Sequence, residues 1–237
     1  MIIANIIVFI FLGHSNMNNG CADVSQLVIS DHVYAYGSEK GFYRQSDPKK
    51  FGIFPAMFLN EMALRYPEYN FGAVCCNYPS AKVSDYFTDH LRYAKLIDKI
   101  LHIDNAATIG GMLCMFGFIE GKDSIEATQI DFQYRRMIED IRDLCGNETL
   151  PVLISRYESN NKREKAIQAY TRYEPIIIRS LDDVVNYEKI KYFPIRNLPK
   201  PYHCENHHST YEGYQILSRD AAIQIQLNNA DFWSKNK

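Results

Sequence analysis

Apolar runs of strand length alternate along the chain with longer stretches of helical period. The runs Ile6–Leu12, Phe71–Cys76, Gly111–Phe118, Val152–Ser155 and Pro175–Ile178 are short, rich in β-branched and aromatic residues, and bounded by polar or turn-forming residues. Three amphipathic stretches lie between them and a fourth closes the chain. Phe54–Tyr66 carries Phe54, Met57, Phe58, Met62 and Leu64, and Asp85–Ile103 carries Leu91, Ala94, Leu96, Ile97 and Ile100. Ile125–Cys145 places Ile130, Tyr134, Met137, Ile138, Ile141 and Leu144 at i, i+3, i+4 and i+7, and Tyr211–Leu227 ends the pattern with Ile216, Leu217, Ala221 and Ile225. Strands alternating with helices of this length predict βαβ units around a parallel sheet. The expectation is a three-layer α/β/α sandwich of about five parallel strands, built as a single domain over 1–237, with Ile6–Leu12 central. Tyr34–Phe51 has no clear period and reads as a surface excursion.

In such a sheet the working groups gather at the carboxyl ends of the strands. Gly13–Asn16, Tyr78–Ser84 and Gly117–Lys122 follow the first three runs, and His203–His208 precedes the last helix. These segments are expected to converge on one rim.

Composition narrows the field. The 237 residues are 46% hydrophobic and 13% aromatic, which suits a full core in one domain and not a disordered chain. A formal net charge of -2, with no Lys/Arg stripe, argues against nucleic acid or an anionic membrane as the main partner. The cluster Lys162, Arg163 and Lys165 reads as a solvated helix start. The run Ile2–Leu12 resembles a signal-peptide core. Yet no Lys or Arg precedes Lys40 and no small-x-small site follows Leu12, so Asn5–Leu12 reads as a buried strand. A secreted or periplasmic location is slightly favoured, with any export signal removed or never present. Of the six cysteines, Cys75, Cys76 and Cys114 sit in apolar runs as small hydrophobes. Cys145 completes the set with Cys21 and Cys204, the latter two in loops and the better disulfide candidates.

Two stretches carry chemistry. In Gly13-His14-Ser15-Asn16-Met17 a buried strand runs directly into a tight turn. A serine there sits where backbone N–H groups are unclaimed and can bind an oxyanion, which suits a nucleophile; a Ser/Asn turn or helix cap is the plainer reading. In Cys204-Glu205-Asn206-His207-His208-Ser209-Thr210 a carboxylate lies three residues before a histidine, just ahead of a helix. That spacing lets Glu205 orient His208 as a general base, while Ser209 or Thr210 caps the helix. A polar loop with surface histidines is the plainer reading here.

Taken together the two stretches resemble the SGNH hydrolase superfamily, in the branch of sialate O-acetylesterases and acetylxylan esterases. The family's first block, Gly-Gln-Ser-Asn-Met after a strand, matches Gly13-His14-Ser15-Asn16-Met17. Its last block, Asp-x-x-His before a Gly-Tyr helix, matches Glu205 to His208 followed by Gly213-Tyr214. Val83-Ser84-Asp85-Tyr86 resembles the family's segment ending in Asp-Trp. The resemblance implies a flavodoxin-like SGNH hydrolase fold and a serine esterase acting on short acyl esters, O-acetyl groups on sugars or polysaccharides, with no metal or organic cofactor. It implies Ser15 as nucleophile, His208 as base and Glu205 as its partner. The oxyanion would rest on the N–H groups of Ser15, Ser80 and Gly117, and His14, Asn16 and Glu120 would meet substrate. Tyr34, Tyr36, Phe42 and Tyr43 could offer aromatic faces to a pyranose ring.

Departures from the family temper the activity expected. Pro79-Ser80-Ala81 replaces a Gly-rich turn, and proline has no N–H to donate. Phe116-Gly117-Phe118-Ile119-Glu120-Gly121 lacks the family's glutamine, and Glu205 stands for an aspartate. Losing one oxyanion donor costs roughly 100- to 1000-fold in rate. The alternative is therefore a catalytically weak or inactive carbohydrate-binding or structural module on the same fold. A zinc site built from His203, Cys204, His207 and His208 is the remaining rival. The sequence leaves the oligomeric state open.

Overall fold

The computed structural model describes residues 5–18, 23–87, 89–104, 107–156, 172–186, 190–194 and 208–228. Its centre is β1 (Ile6–Gly13), eight residues buried without interruption. The chain then forms a short helical turn α1 (Ser15–Asn18), an edge hairpin of β2 (Val33–Gly37) and β3 (Gly41–Tyr43), α2 (Pro48–Phe51) and α3 (Ile53–Arg65). There follow β4 (Asn70–Asn77), a 3-10 turn at Val83–Tyr86, α4 (Leu91–Leu101), β5 (Thr108–Met115), a second 3-10 turn at Glu120–Lys122 and α5 (Ser124–Cys145). The last elements are β6 (Val152–Arg156), α6 (Glu174–Val185), β7 (Ile190–Pro194) and α7 (Tyr211–Asn228).

The strands make one seven-stranded sheet in the order β3-β2-β4-β1-β5-β6-β7. All pairings are parallel except β2 with β3. Because successive residues of a strand point to opposite faces, β1 feeds two cores. Ile6, Val8, Ile10 and Leu12 pack with residues of α4, α5 and α6. Ile7, Phe9 and Phe11 pack with α3 and α7. A strand buried on both faces has no polar alternation, which is why β1 reads as a continuous apolar run. On the α3 side, Phe58 meets Phe9 and Phe11 edge-on, at ring-centroid distances of 5.1 and 5.7 Å. Each such pair adds about 0.5–1.5 kcal/mol beyond its buried area.

The three-layer α/β/α architecture agrees with the pattern of the sequence, and four details differ. Pro175–Ile178, expected as a strand, opens α6. Proline is tolerated in a first helical turn. Ile177, Leu181 and Val184 then recur at i, i+4 and i+7 and are the apolar residues the helix buries, beside Glu174 and Ser180. Its three consecutive isoleucines look like a strand only when that longer period is ignored. The sheet also exceeds the expected five strands, because the segment read as a surface excursion supplies β2 and β3, and because β7 was not anticipated. Finally, Tyr34 and Tyr36 are each only 6% exposed, and Tyr36 packs on Phe42 at 4.9 Å. These rings close the edge of the core, so they are not faces offered to a sugar. The stretch expected as one helix over Asp85–Ile103 is divided by a break at His90, whose side chain caps α4 by accepting from Arg92 N–H. Cys76 and Cys114 are buried and, with Cys75 and Cys145, are free thiols, while Cys21 and Cys204 lie outside the described residues.

Candidate active site

The site is built at the carboxyl end of β1. Register places Gly13 beside Asn77 of β4 and Met115 of β5. A Cβ at Gly13 would fall 2.8 Å from the Met115 carbonyl oxygen, so only glycine lets the three strand ends approach this closely. The two neighbours then hold the turn: His14 N–H donates to Met115 O and Tyr78 N–H donates to Gly13 O. Within the turn, Met17 N–H donates to His14 O and Asn16 N–H donates to His14 Nδ1 at 3.3 Å. Ser15 opens α1, where helix geometry leaves the first N–H groups unused. Among the described residues nothing accepts from Ser15 N–H.

His208 stands just before α7, with its Nε2 3.0 Å from Ser15 Oγ. The two residues are separated by 193 positions in sequence. The sequence reading placed them together, and this is where the structure has them. Burial lowers the His208 pKa below the usual imidazole value, which keeps the ring neutral and able to take a proton near pH 7. Thr210, rather than Ser209, caps α7 by accepting from Gly213 N–H at 3.2 Å. Glu205 and His207, with His203 and Cys204, lie outside the described residues.

A hydrogen bond not anticipated from sequence locks the two halves of this pair. Tyr214, fully buried on α7, donates its hydroxyl to Asn16 O at 2.9 Å. The helix that follows His208 is thereby pinned to the helical turn that carries Ser15. The sequence marked Tyr214 only as a register residue, since nothing in a buried tyrosine's neighbours tells where its hydroxyl goes. Tyr214→Phe keeps the ring and leaves a buried carbonyl without its donor. The expected loss is about 1–3 kcal/mol, measured by urea unfolding. A second unanticipated tie is reciprocal: Asn18 Nδ2 donates to Asn77 O and Asn77 Nδ2 to Asn18 Oδ1, joining the end of α1 to the end of β4.

Two loops flank the pair. After β4, Ala81 N–H donates to Tyr78 O, with Pro79 and Ser80 as the central residues of the turn. Ser80 has φ +55°, a left-handed conformation that suits the third position of a type II turn and that a non-glycine residue adopts at a cost. Ser80 is exposed, and nothing among the described residues accepts from its N–H. After β5, Gly117 has φ +111° and its N–H donates to Glu120 Oε2 at 3.0 Å. The other carboxylate oxygen of Glu120 accepts from Val83 N–H at 2.9 Å. Two expectations change here. The Gly117 N–H, expected to bind an oxyanion, is committed to Glu120. Glu120, expected to meet substrate, has no exposed surface and spends both oxygens on backbone. Its burial raises its pKa to about 7, against the lowering effect of the N–H donors.

His14 and Asn16 were also expected at the substrate. Both are buried, at 2% and 5% exposure. Burial, and secondarily the charge of His208, depress the His14 pKa to about 3. Since its Nδ1 accepts a hydrogen bond, the neutral ring carries its proton on Nε2. The ring packs against half-buried Phe118 at 6.0 Å. Asn16 Oδ1 is buried with no hydrogen-bond partner among the described residues. Among those residues no group of three or more His, Cys, Asp or Glu side chains could hold a metal ion.

The chain has the SGNH hydrolase fold, which solved structures that superimpose on it share. The likeness is one of structure: no protein-family model matches the sequence, and no curated protein matches it. A protein of Arabidopsis thaliana superimposes with a TM-score of 0.78 at 15% identity, over 95% of this chain and 99% of that one. A carbohydrate acetylesterase from Xanthomonas citri matches at TM-score 0.65 and 14% identity, over 94% of this chain and 55% of that one. An acetylxylan esterase from Geobacillus stearothermophilus matches at TM-score 0.54 and 13% identity, over 92% and 93% of the two chains.

Proposed function

We propose that the protein is a serine ester hydrolase that releases short acyl groups, O-acetyl groups above all, from carbohydrate. The observation that carries this reading is the 3.0 Å approach of His208 Nε2 to Ser15 Oγ beside N–H groups that nothing in the described protein claims. That distance is a hydrogen bond within reach for proton transfer. Ser15 Oγ attacks the acyl carbon as His208 takes its proton. The oxyanion forms against the N–H groups of Ser15 and Ser80. His208 then returns the proton to the departing sugar hydroxyl, and water, deprotonated by the same ring, clears the acyl-enzyme. Glu205, three residues before His208, is the proposed partner that orients the imidazole.

Two of the similar structures are described as acting on carbohydrate acetates, and this supports the choice of acetyl on sugar. The half-buried Phe118, packed beside His14, is an aromatic surface that a sugar ring could use. A chain-length series of p-nitrophenyl esters, run beside acetylated xylan and O-acetyl sialic acid, tests the reading. The expected outcome is a steep preference for acetate and release of acetate from a glycan. A preference for long acyl chains would replace the carbohydrate substrate with a lipid one.

A further inference from the structure

Glu120 is a buried carboxylate for which the reaction above has no direct use. Its surroundings are specific. Oε1 accepts from Val83 N–H, three residues beyond Ser80, and Oε2 accepts from Gly117 N–H, two residues beyond the end of β5. Val83 and Gly117 belong to the two loops that flank Ser15, and the Glu120 carboxylate joins them. The Val83 and Gly117 N–H groups land on different oxygens, and the N–H of Glu120 itself also favours the ionised form, so the pair of loops is joined only if both oxygens accept. A carboxylate supplies both. A protonated acid turns one oxygen into a donor, and an amide sets its NH2 against one of the N–H groups. Packing alone would be better served by an apolar residue here, since a buried charge is costly.

We propose that Glu120 is a positioning residue for the esterase reaction: its ionised carboxylate ties the turn carrying Ser80 to the chain leaving β5, and so holds the Ser80 N–H where the oxyanion forms. This inference rests on the esterase reading. The charged groups around Glu120 come from every element packed there. Lys82 and Asp85 flank Val83, Glu126 lies on α5 and Lys122 on Glu120's own turn; the start of α6, which carries Arg172 and Glu174, docks through Tyr173 N–H on Gly121 O. Lys82 Nζ is turned to Glu126 at 2.9 Å, so that cation is already engaged. The Glu126 charge adds to burial in holding the Glu120 proton, and the clamp is complete only above about pH 7.

The test has two readouts. The amide resonances of Val83 and Gly117 should titrate together near neutral pH in the wild-type protein and stop titrating in Glu120→Gln. In Glu126→Gln their midpoint should move to lower pH. With p-nitrophenyl acetate, Glu120→Gln should lower kcat by roughly 100-fold, as loss of one oxyanion donor does, while KM stays within about 2-fold. The acid limb of log kcat/KM should have slope two in wild type, one proton each for Glu120 and His208, and slope one in Glu120→Gln. Titration of the two amides in a wild type that hydrolyses no ester would retain the clamp and remove the esterase reading. Amides that ignore pH in wild type, or a Glu120→Gln variant with unchanged kcat and an unchanged acid limb, would overturn the proposal.

Discussion

Ser15→Ala is expected to lower kcat/KM for p-nitrophenyl acetate by at least ~10^4-fold, and His208→Ala by a similar factor. The double variant should fall no further than the worse single one, because a nucleophile without its base, or a base without its nucleophile, is already inactive. The turn does not depend on the Ser15 hydroxyl. It is held by His14 N–H on Met115 O, Met17 N–H on His14 O and Tyr78 N–H on Gly13 O. Stability should therefore change by about 0.5 kcal/mol or less in Ser15→Ala, and a loss of activity is not a loss of fold. What remains in the variants comes from N–H groups that still hold the oxyanion. Ser15→Ala with undiminished turnover would remove Ser15 from the mechanism whatever its distance from His208.

Much of this site was legible before the structure, for a physical reason. A strand buried on both faces must be apolar throughout, so Ile6–Leu12 announces the sheet centre, and the first polar residues after it must lie on the rim. Ser15 and His208 are legible because their neighbours are local: a glycine turn before one, a helix start after the other. Glu120 was assigned to the wrong partner because one of its contacts, Val83 N–H on Oε1, spans 37 residues; the Gly117 N–H follows from it, since its three-residue contact with Glu120 forms only once that side chain is folded inward. A glutamate on a loop is ordinarily solvated, and only the fold reveals that this one is enclosed. The Tyr214 hydroxyl bond to Asn16 O spans 198 residues and leaves no trace in either local pattern. The isoleucines of α6 misled for the opposite reason: their β-branched character is strong locally, and the helix is decided by the buried stripe that continues to Val184.

His14 should make the protein acid-labile. A neutral imidazole buried to 2% exposure must acquire a charge when protonated, and burial opposes this, so its pKa falls from 6.5 to about 3. Between those values the unfolded chain binds a proton that the folded chain refuses. The contribution is thus fully present above pH 6.5 and is lost as pH falls, reaching about 5 kcal/mol near pH 3. Glu120 works in the other direction. Its folded pKa is raised from 4.5 to about 7, so its contribution is fully present below pH 4.5 and disappears as pH rises through about 7, a change of about 3 kcal/mol. From pH 4.5 to 6.5 the two slopes oppose each other one proton for one. His208, its own pKa lowered by burial, tilts the balance toward His14. Below pH 4.5 Glu120 has no further effect, and of these three groups only the histidines still act. Wild-type stability in urea should therefore decline gently from pH 6.5 to 4.5 and steeply below it. His14→Gln, which cannot titrate, should unmask Glu120: its stability should change little or rise on acidification from pH 7 to 4.5, and the steep loss below pH 4.5 should shrink by about 2 kcal/mol. Parallel curves for wild type and His14→Gln over pH 3 to 8 would mean that the His14 ring is hydrated in the folded protein and takes its proton as a free imidazole does.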